Sequence, residues 1–392
     1  MVGNVFGRAF RVMTCGESYG GALLIICEGV PAGMELSEND IQPELDRRRP
    51  GQTEFDSPRQ EKDQIQIVAG VQEGKTTGAP VGLLMFNVDT QMKHIDEYRS
   101  YKDVPRPGHA EITYFMKYGK WTDWVGAGRA SGRETAARVA AGALAKKILA
   151  REGIEVIGYV SEIHGIASKA SGLTVEQVRA NIEKTPLRCP DLEAAQKMID
   201  DTLQVKDDGD TVGGVVECRA LGVPPGVGEP VFDKLSARIA YGIMSIPSVK
   251  GIEVGDGFES AKRLGTEDND HIYFDDNKKL RFRTNHSGGI LGGISNGDDI
   301  IVRCAVKPTS TVSVDQPSVN MQSMENVILS PITRRDPTIC GRIVPVVEAM
   351  VRLAILDLLM VNRGYQAVAR NDNPWLDHLA PRPADVWSPP QD

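Results

Sequence analysis

Several signatures are missing from this chain. Its six cysteines, at positions 15, 27, 189, 218, 304 and 340, include no Cys-x-x-Cys pair, which excludes a zinc ribbon or a dithiol redox centre. They read as reduced cytosolic thiols, and no secretory leader is expected. The six histidines show no ligand spacing, so no metal is expected. No apolar run reaches the ~18 uncharged residues of a membrane span. The longest candidate, Ile343 to Val361, is interrupted by Pro345, Glu348, Arg352 and Asp357 and reads as a buried helix ending at Gly364. Basic excess is absent too: the net charge is −8, which excludes a general nucleic-acid binder. No Gly-x-Ser-x-Gly elbow is present. Gly70-Val-Gln-Glu-Gly-Lys-Thr76 is one residue short of a phosphate loop, and Gly126-x-Gly-x3-Gly132 one too long for a dinucleotide fingerprint. The chain reads as a soluble cytoplasmic protein with a small anionic ligand.

What is present is glycine and clustered arginine. The 40 glycines in 392 residues exceed the usual ~7% and imply many tight turns rather than disorder, since 41% of residues are hydrophobic. The most telling segment is Gly126-Ala-Gly-Arg-Ala-Ser-Gly-Arg-Glu-Thr135. Ser131 and Glu134 form a Ser-x-x-Glu capping box ahead of an Ala-rich helix that stops at Gly153. A helix start presents free amides to anions, and Arg129 and Arg133 bracket this one. Arg47-Arg48-Arg49, Arg106-Pro-Gly-His109 and Arg334-Arg335-Asp336 repeat the theme. Arginine offers a planar fork that grips phosphate or carboxylate two oxygens at a time. His109, held near anions, is expected to lean toward imidazolium, and Asp336 beside two arginines to stay ionised. The segments Ser287-Gly-Gly-Ile-Leu-Gly-Gly-Ile-Ser295 and Lys307-Pro-Thr-Ser-Thr311 offer amides, hydroxyls and an ammonium for phosphate oxygens or the polar edge of a planar cofactor. A plain glycine-lined packing surface explains the first equally well.

The chain repeats itself weakly. Gly20-Gly21, seven residues and Gly29-Val-Pro-Ala-Gly33 match Gly213-Gly214, seven residues and Gly222-Val-Pro-Pro-Gly226 at an offset of 193. Strands are expected over 6–14, 22–27, 65–71 and 81–87. Helices are expected over 37–48, 131–150, 231–244 and 342–361, with two polar helices inserted at 170–206. This predicts an α+β fold: a sandwich of two pseudo-symmetric halves, about 1–153 and 207–364, in one domain over 1–364. The 365–392 tail, rich in Pro, Asp and Asn, is expected to be partly ordered at best.

Taken together, these motifs resemble chorismate synthase. The resemblance rests on Gly3-Asn-x-x-Gly7, Cys15-Gly-Glu-Ser-Tyr-Gly20, Asp46-Arg-Arg-Arg-Pro-Gly51, Arg106-Pro-Gly-His-Ala110, Gly128-Arg-Ala-Ser-Gly-Arg-Glu-Thr135, Asn285-His-Ser-Gly-Gly through Ser295, Lys307-Pro-Thr-Ser310 and Arg335-Asp-Pro337. It spans about Gly3 to Gly364. It implies a β-α-β sandwich assembled as a homotetramer. The implied reaction is a 1,4-anti elimination of phosphate from 5-enolpyruvylshikimate 3-phosphate, in the shikimate route to aromatic amino acids. Reduced FMN would lend charge and recover it, with NADPH or an external flavin reductase as the two possible sources of reduction. Arg48, Arg106, Arg133, Arg334 and Ser18 would bind substrate. Arg129, Ala130, Ser131, Ser248 and Gly292 would bind FMN, together with Lys307, Pro308, Thr309, Ser310, Thr311 and Arg334. His109 would protonate reduced flavin or the leaving side, and Asp336 would relay the ring proton through flavin N5.

Three departures from the family pattern stand out. Tyr19 occupies a catalytic position where the family has histidine, Glu54 stands where an arginine is common, and Arg335 replaces a histidine. A phenol with a pKa near ~10 can donate a hydrogen bond at neutral pH but cannot act as a cation. The main reading is therefore an active lyase. The alternative is a flavin- or phosphoanion-binding paralogue weakened by Tyr19. A nucleotide-dependent transferase using Gly70 to Thr76 is disfavoured by its spacing.

Overall fold

The computed structural model describes residues 3–53, 55, 61–89, 95–96, 98–99, 101–330, 336–368, 378–379 and 381–382. Its first sheet contains β1 (Val5–Phe6), β2 (Arg11–Cys15), β3 (Ala22–Glu28), β4 (Ile65–Ala69) and β5 (Val81–Phe86), in the order β1-β2-β3-β5-β4. The second contains β6 (Glu155–Ile163), β7 (Ile166–Ala167), β8 (Gly214–Leu221), β9 (Val249–Val254) and β10 (Ile300–Val306), in the order β9-β10-β8-β6-β7. Every neighbouring pair is antiparallel.

Four helices lie between the sheets: α1 (Gln42–Arg48), α2 (Thr135–Ala150), α3 (Leu235–Met244) and α4 (Cys340–Val368). Along the chain, β2-β3-α1-β4-β5-α2 is followed by β6-β8-α3-β9-β10-α4. Strand neighbours correspond as well, so the molecule is an α+β sandwich of two like-folded halves. The offset of 193 read from the turns also relates the first residues of α1 and α3, Gln42 and Leu235.

Alternation decides which face of each strand is buried. On β3, Leu23, Ile25 and Cys27 point into the helical layer, while Leu24 and Ile26 face outward, 45% and 46% exposed. The outer face of the second sheet is better covered. The helix Val175–Asn181 lays Val175 and Val178 on Ile157 and Tyr159 there. Its cap, Thr174, accepts from the amide of Gln177.

Some expectations change in three dimensions. β6 pairs with β8, so the helical excursion at 170–206 lies within the second half rather than between halves. The strand expected over 6–14 breaks at Gly7, where φ is 86°. There Asp357 of α4 accepts from the amides of Arg8, Ala9 and Phe10. The capping box is half made: Ser131 accepts from the amide of Arg133, but Glu134 pairs with Arg138 one turn on. α4 runs through Gly364 to Val368 rather than stopping at the glycine. Gly70–Thr76 is a hairpin whose turn residues Glu73 and Gly74 both have positive φ, the conformation a tight two-residue hairpin turn demands. Of the tail, His378 reaches the carbonyl of Lys278 and Arg382 pairs with Asp298 at 2.7 Å.

The charges inside the long apolar helix α4 are paired. Glu348 accepts from the amide of Gly158 and from Arg47 and Arg352, while Arg352 also reaches Glu44 at 2.7 Å. Despite burial, Arg352, Arg47 and Lys146 hold the Glu44 carboxyl well below its usual range. Arg47 belongs to this layer and is not a ligand-facing helix end. Among the described residues, no helix is long and apolar enough to cross a membrane.

Candidate active site

Two compartments of about 220 and about 200 Å³ share Arg48, His109, Gly132, Thr311, Asp336 and Arg342 as lining, forming one cleft. The first adds Ile246, Pro247, Ile339, Ile343 and Val346 as an apolar wall, with Ala130, Ser248, Thr309 and Ser310 beside it. The second adds Tyr19, Glu61, Tyr98, Arg106, Ser131 and Arg133. Segments far apart in sequence thus place arginines, a histidine and a carboxylate around one space.

Each cation is held by specific partners. Arg48, at the end of α1, donates through Nη1 to Asp63 at 3.0 Å, through Nη2 to the Gly132 carbonyl at 2.7 Å and through Nε to Thr135 at 3.2 Å. Burial, opposed by Asp63 and reinforced by the charges of Arg342 and Arg133, brings Arg48 down to about 10. Arg133 donates through Nη1 to Asp63 and through Nε to Asn87 at 2.8 Å. Its Nη2 is buried without a hydrogen bond, 3.9 Å from Glu61. Arg106 forks onto Glu111 and reaches Thr311 through Nη1 at 2.9 Å. Burial works against it, but the Arg106 bond and charge keep Glu111 below the usual carboxylate range.

The Arg106–His109 turn is pinned to the 307–311 segment. Gly108 has a φ of 71°, and its carbonyl accepts from Ser310 Oγ at 2.8 Å and Lys307 Nζ at 3.2 Å. His109 Nδ1 is buried with no hydrogen-bond partner, 3.7 Å from Glu111. The leaning toward imidazolium expected from the sequence is reversed. Burial, then the charge of Arg106, outweigh Glu111, and with Lys307 also opposing they lower His109 to about 4. A ring turned to anions is not enough while cations crowd it and water is excluded.

Asp336 accepts from Arg342 Nη1 at 2.8 Å, and its carbonyl accepts from Thr309 at 2.9 Å. Tyr19 packs edge-on against Tyr98 with ring centroids 5.5 Å apart. Gly126 lies so close that a Cβ there would sit 2.6 Å from the Tyr19 ring. Ser18, 1% exposed, accepts from Ser131 Oγ at 3.2 Å.

Not every expected residue arrives. Arg129 turns to Gly16, Asn4 and Thr14 and lines neither compartment. Gly292 sits at the exposed tip of the hairpin Ile290–Leu291/Ile294–Ser295, outside the cleft of this chain. Lys307 and Pro308 line neither compartment, and Lys307 Nζ donates to the Gly108 carbonyl and to Ser310 Oγ. Arg334, Arg335 and Glu54 lie outside the described residues. Sequence reading missed Asp63, Asn87, Glu111 and Arg342. Only Arg342 carried a signal, as a cation in the first turn of a helix, where the dipole disfavours it.

Comparison with known proteins places the chain in a family. The family model for chorismate synthase matches residues 10–360. A chorismate synthase of Acetivibrio thermocellus is 53% identical over 97% of this chain and 100% of its own length. One from Methanosarcina mazei is 49% identical over 92% and 97% respectively. A crystal structure of chorismate synthase superposes with a TM-score of 0.71 at 32% identity, covering 91% of this chain and 93% of that one.

Proposed function

The chain belongs to the chorismate synthase family of carbon–oxygen lyases, and from that premise we propose that it eliminates phosphate from 5-enolpyruvylshikimate 3-phosphate to give chorismate, with reduced FMN bound beside the substrate. The observation that carries this reading is the convergence of Arg48, Arg106 and Arg133 with His109 and Asp336 on one cleft. The substrate brings one phosphate and two carboxylates, which such a set of guanidiniums suits.

The residues present fit a flavin. Ile246, Ile339, Ile343 and Val346 supply an apolar wall for a flat ring, while Ser248, Thr309, Ser310 and Thr311 supply hydroxyls along its edge. His109 lines both compartments. Reduced FMN, when bound, supplies an electron-rich ring that eases C–O cleavage and regains the charge, so no net redox change occurs.

The chain's own groups account for the rest. Arg133 Nη2 and the Arg48 guanidinium neutralise charge building on the departing phosphate, the effect expected to contribute most. The Asp336 carboxylate is the terminal acceptor of the ring proton. His109 is neutral at pH 7 without ligand and becomes a proton donor once a phosphate dianion lies beside it. An anion favours the imidazolium, so the His109 pKa rises from about 4 on binding. Binding should therefore take up a proton and tighten as pH falls toward that value. Calorimetry at pH 6 in buffers of different ionisation enthalpy, using substrate and oxidised FMN, should show this uptake. His109→Asn should retain only the contribution of the substrate's own phosphate. Equal uptake in both proteins would remove His109 from this role.

The direct test is phosphate release from the enolpyruvyl substrate under anaerobic conditions with photoreduced FMN. Absence of release in the presence of substrate binding would favour the weakened paralogue. Tyr19 motivates that second reading, since its phenol lines the cleft where an imidazolium could assist phosphate departure. Tyr19→His is expected to raise turnover by roughly 10²-fold, the lower end of the scale for one general acid. No gain would show that Tyr19 is no handicap.

We assign the chain to the cytoplasm, as fits a biosynthetic enzyme, and to a homotetramer. The apolar outer face of the first sheet supports self-association: Met13, Leu24, Ile26 and Phe86 are each 45–53% exposed there.

A further inference from the structure

We propose that Asp63 is a positioning residue for the elimination: its two carboxylate oxygens yoke Arg48 and Arg133, setting the spacing at which these guanidiniums meet the substrate's anionic groups. The inference rests on the proposed reaction and concerns a residue that lines neither compartment.

Asp63 is 1% exposed, with its side chain fully enclosed. Oδ2 takes Arg48 Nη1 and Oδ1 takes Arg133 Nη1. The two arginines come from different elements, the C-terminal end of α1 and the turn before α2, and otherwise would repel. Asp63 itself is held in place. Its φ is 47°, in the left-handed region, and its carbonyl accepts from Gln42 Nε2 at 3.2 Å. Gln42 also accepts from the amide of Ile65 at 3.0 Å, so α1 and β4 together fix the residue between them.

The remaining bonds leave little slack. Arg133 Nε is taken by Asn87, whose Nδ2 donates to the carbonyls of Glu17 and Gly20 on either side of Ser18 and Tyr19. The yoke therefore also sets the turn that carries Tyr19. With Nε and Nη1 occupied, Nη2 is the Arg133 nitrogen left without a hydrogen bond.

Two rival roles predict different kinetics. If Asp63 only neutralised buried charge, removing it would add one positive charge to the site and strengthen anion binding. If it only supported the fold, KM per folded molecule would stay at the wild-type value. A yoke predicts weaker binding despite the extra positive charge, because a misdirected guanidinium loses its paired contacts.

The test compares the full chain with Asp63→Asn and Asp63→Glu under anaerobic conditions with reduced FMN. Asp63→Asn should raise KM for the enolpyruvyl substrate about 10–100-fold and lower kcat at least as much, because the same two guanidiniums meet the bound phosphate and the charge that builds on it as it departs. Asp63→Glu keeps the charge but displaces it by one methylene, and should raise KM at least about 3-fold. An Asp63→Asn KM at or below the wild-type value overturns the proposal. If that variant does not fold, a wild-type KM in Asp63→Glu overturns it. The same series measured as equilibrium binding of substrate with oxidised FMN separates this inference from the proposed reaction. Wild-type protein that binds but releases no phosphate sinks the reaction, while weakened binding in the variants still upholds the yoke.

Discussion

Asp336→Asn is expected to lower kcat by about 10²–10⁴-fold, the range for loss of one positioned acid–base group, while KM changes little. Asparagine preserves the volume of the side chain and leaves the backbone carbonyl bonded to Thr309. It still presents an oxygen to Arg342, so the cleft should keep its shape. What it lacks is a site for the ring proton. Substrate affinity should persist because Arg48, Arg106 and Arg133 are held by Asp63 and Glu111, not by Asp336. Single-turnover phosphate release should show the defect, with a larger isotope effect when the departing ring hydrogen is deuterium. An unchanged rate in this variant would mean that another group receives the proton.

Gly142→Ala should destabilise the protein, although the same change in an isolated helix would stabilise it by about 1 kcal/mol. A Cβ on Gly142 would lie 2.3 Å from the Cβ and 2.6 Å from the Cα of Ala349. Backbone atoms cannot rotate aside, so α2 and α4 must separate along their shared seam. Overpacking of this kind costs about 1–3 kcal/mol, enough to lower the melting temperature of a chain this long by roughly 1–4 °C. The site should suffer as well, because Thr135 opens α2 and Arg342 lies in the first turn of α4. Gly364→Ala in the same helix α4 is the control: nothing lies within 4 Å of the added methyl. It should be neutral or raise the melting temperature by a degree or two. Melting curves of both variants decide the matter. A stabilised Gly142→Ala would mean that the helices approach less closely than described.

Local chemistry made much of the fold legible. Alternating apolar residues marked the strands, and Ser131, Glu134 and the alanines behind them marked the start of α2. The repeated glycine turns revealed two related halves, because such turns need only a few neighbouring residues. The boundary between those halves was misplaced, since nothing local says that β6 pairs with β8 across the excursion at 170–206. The site divides along the same line.

Read alone, the amino-acid order determined the family, the helices and strands, and which turns carry arginine and histidine. Tertiary structure alone decided which of these face the cleft and what restrains them. Arg47 went to Glu348 and Arg129 to Gly16, while Asp63, without any motif, joined Arg48 and Arg133 across 15 and 70 residues. His109 became a neutral ring for the same reason. Helix and turn preferences act over a few bonds, whereas the pairing of charges and the loss of water around an imidazole depend on segments that only folding brings together.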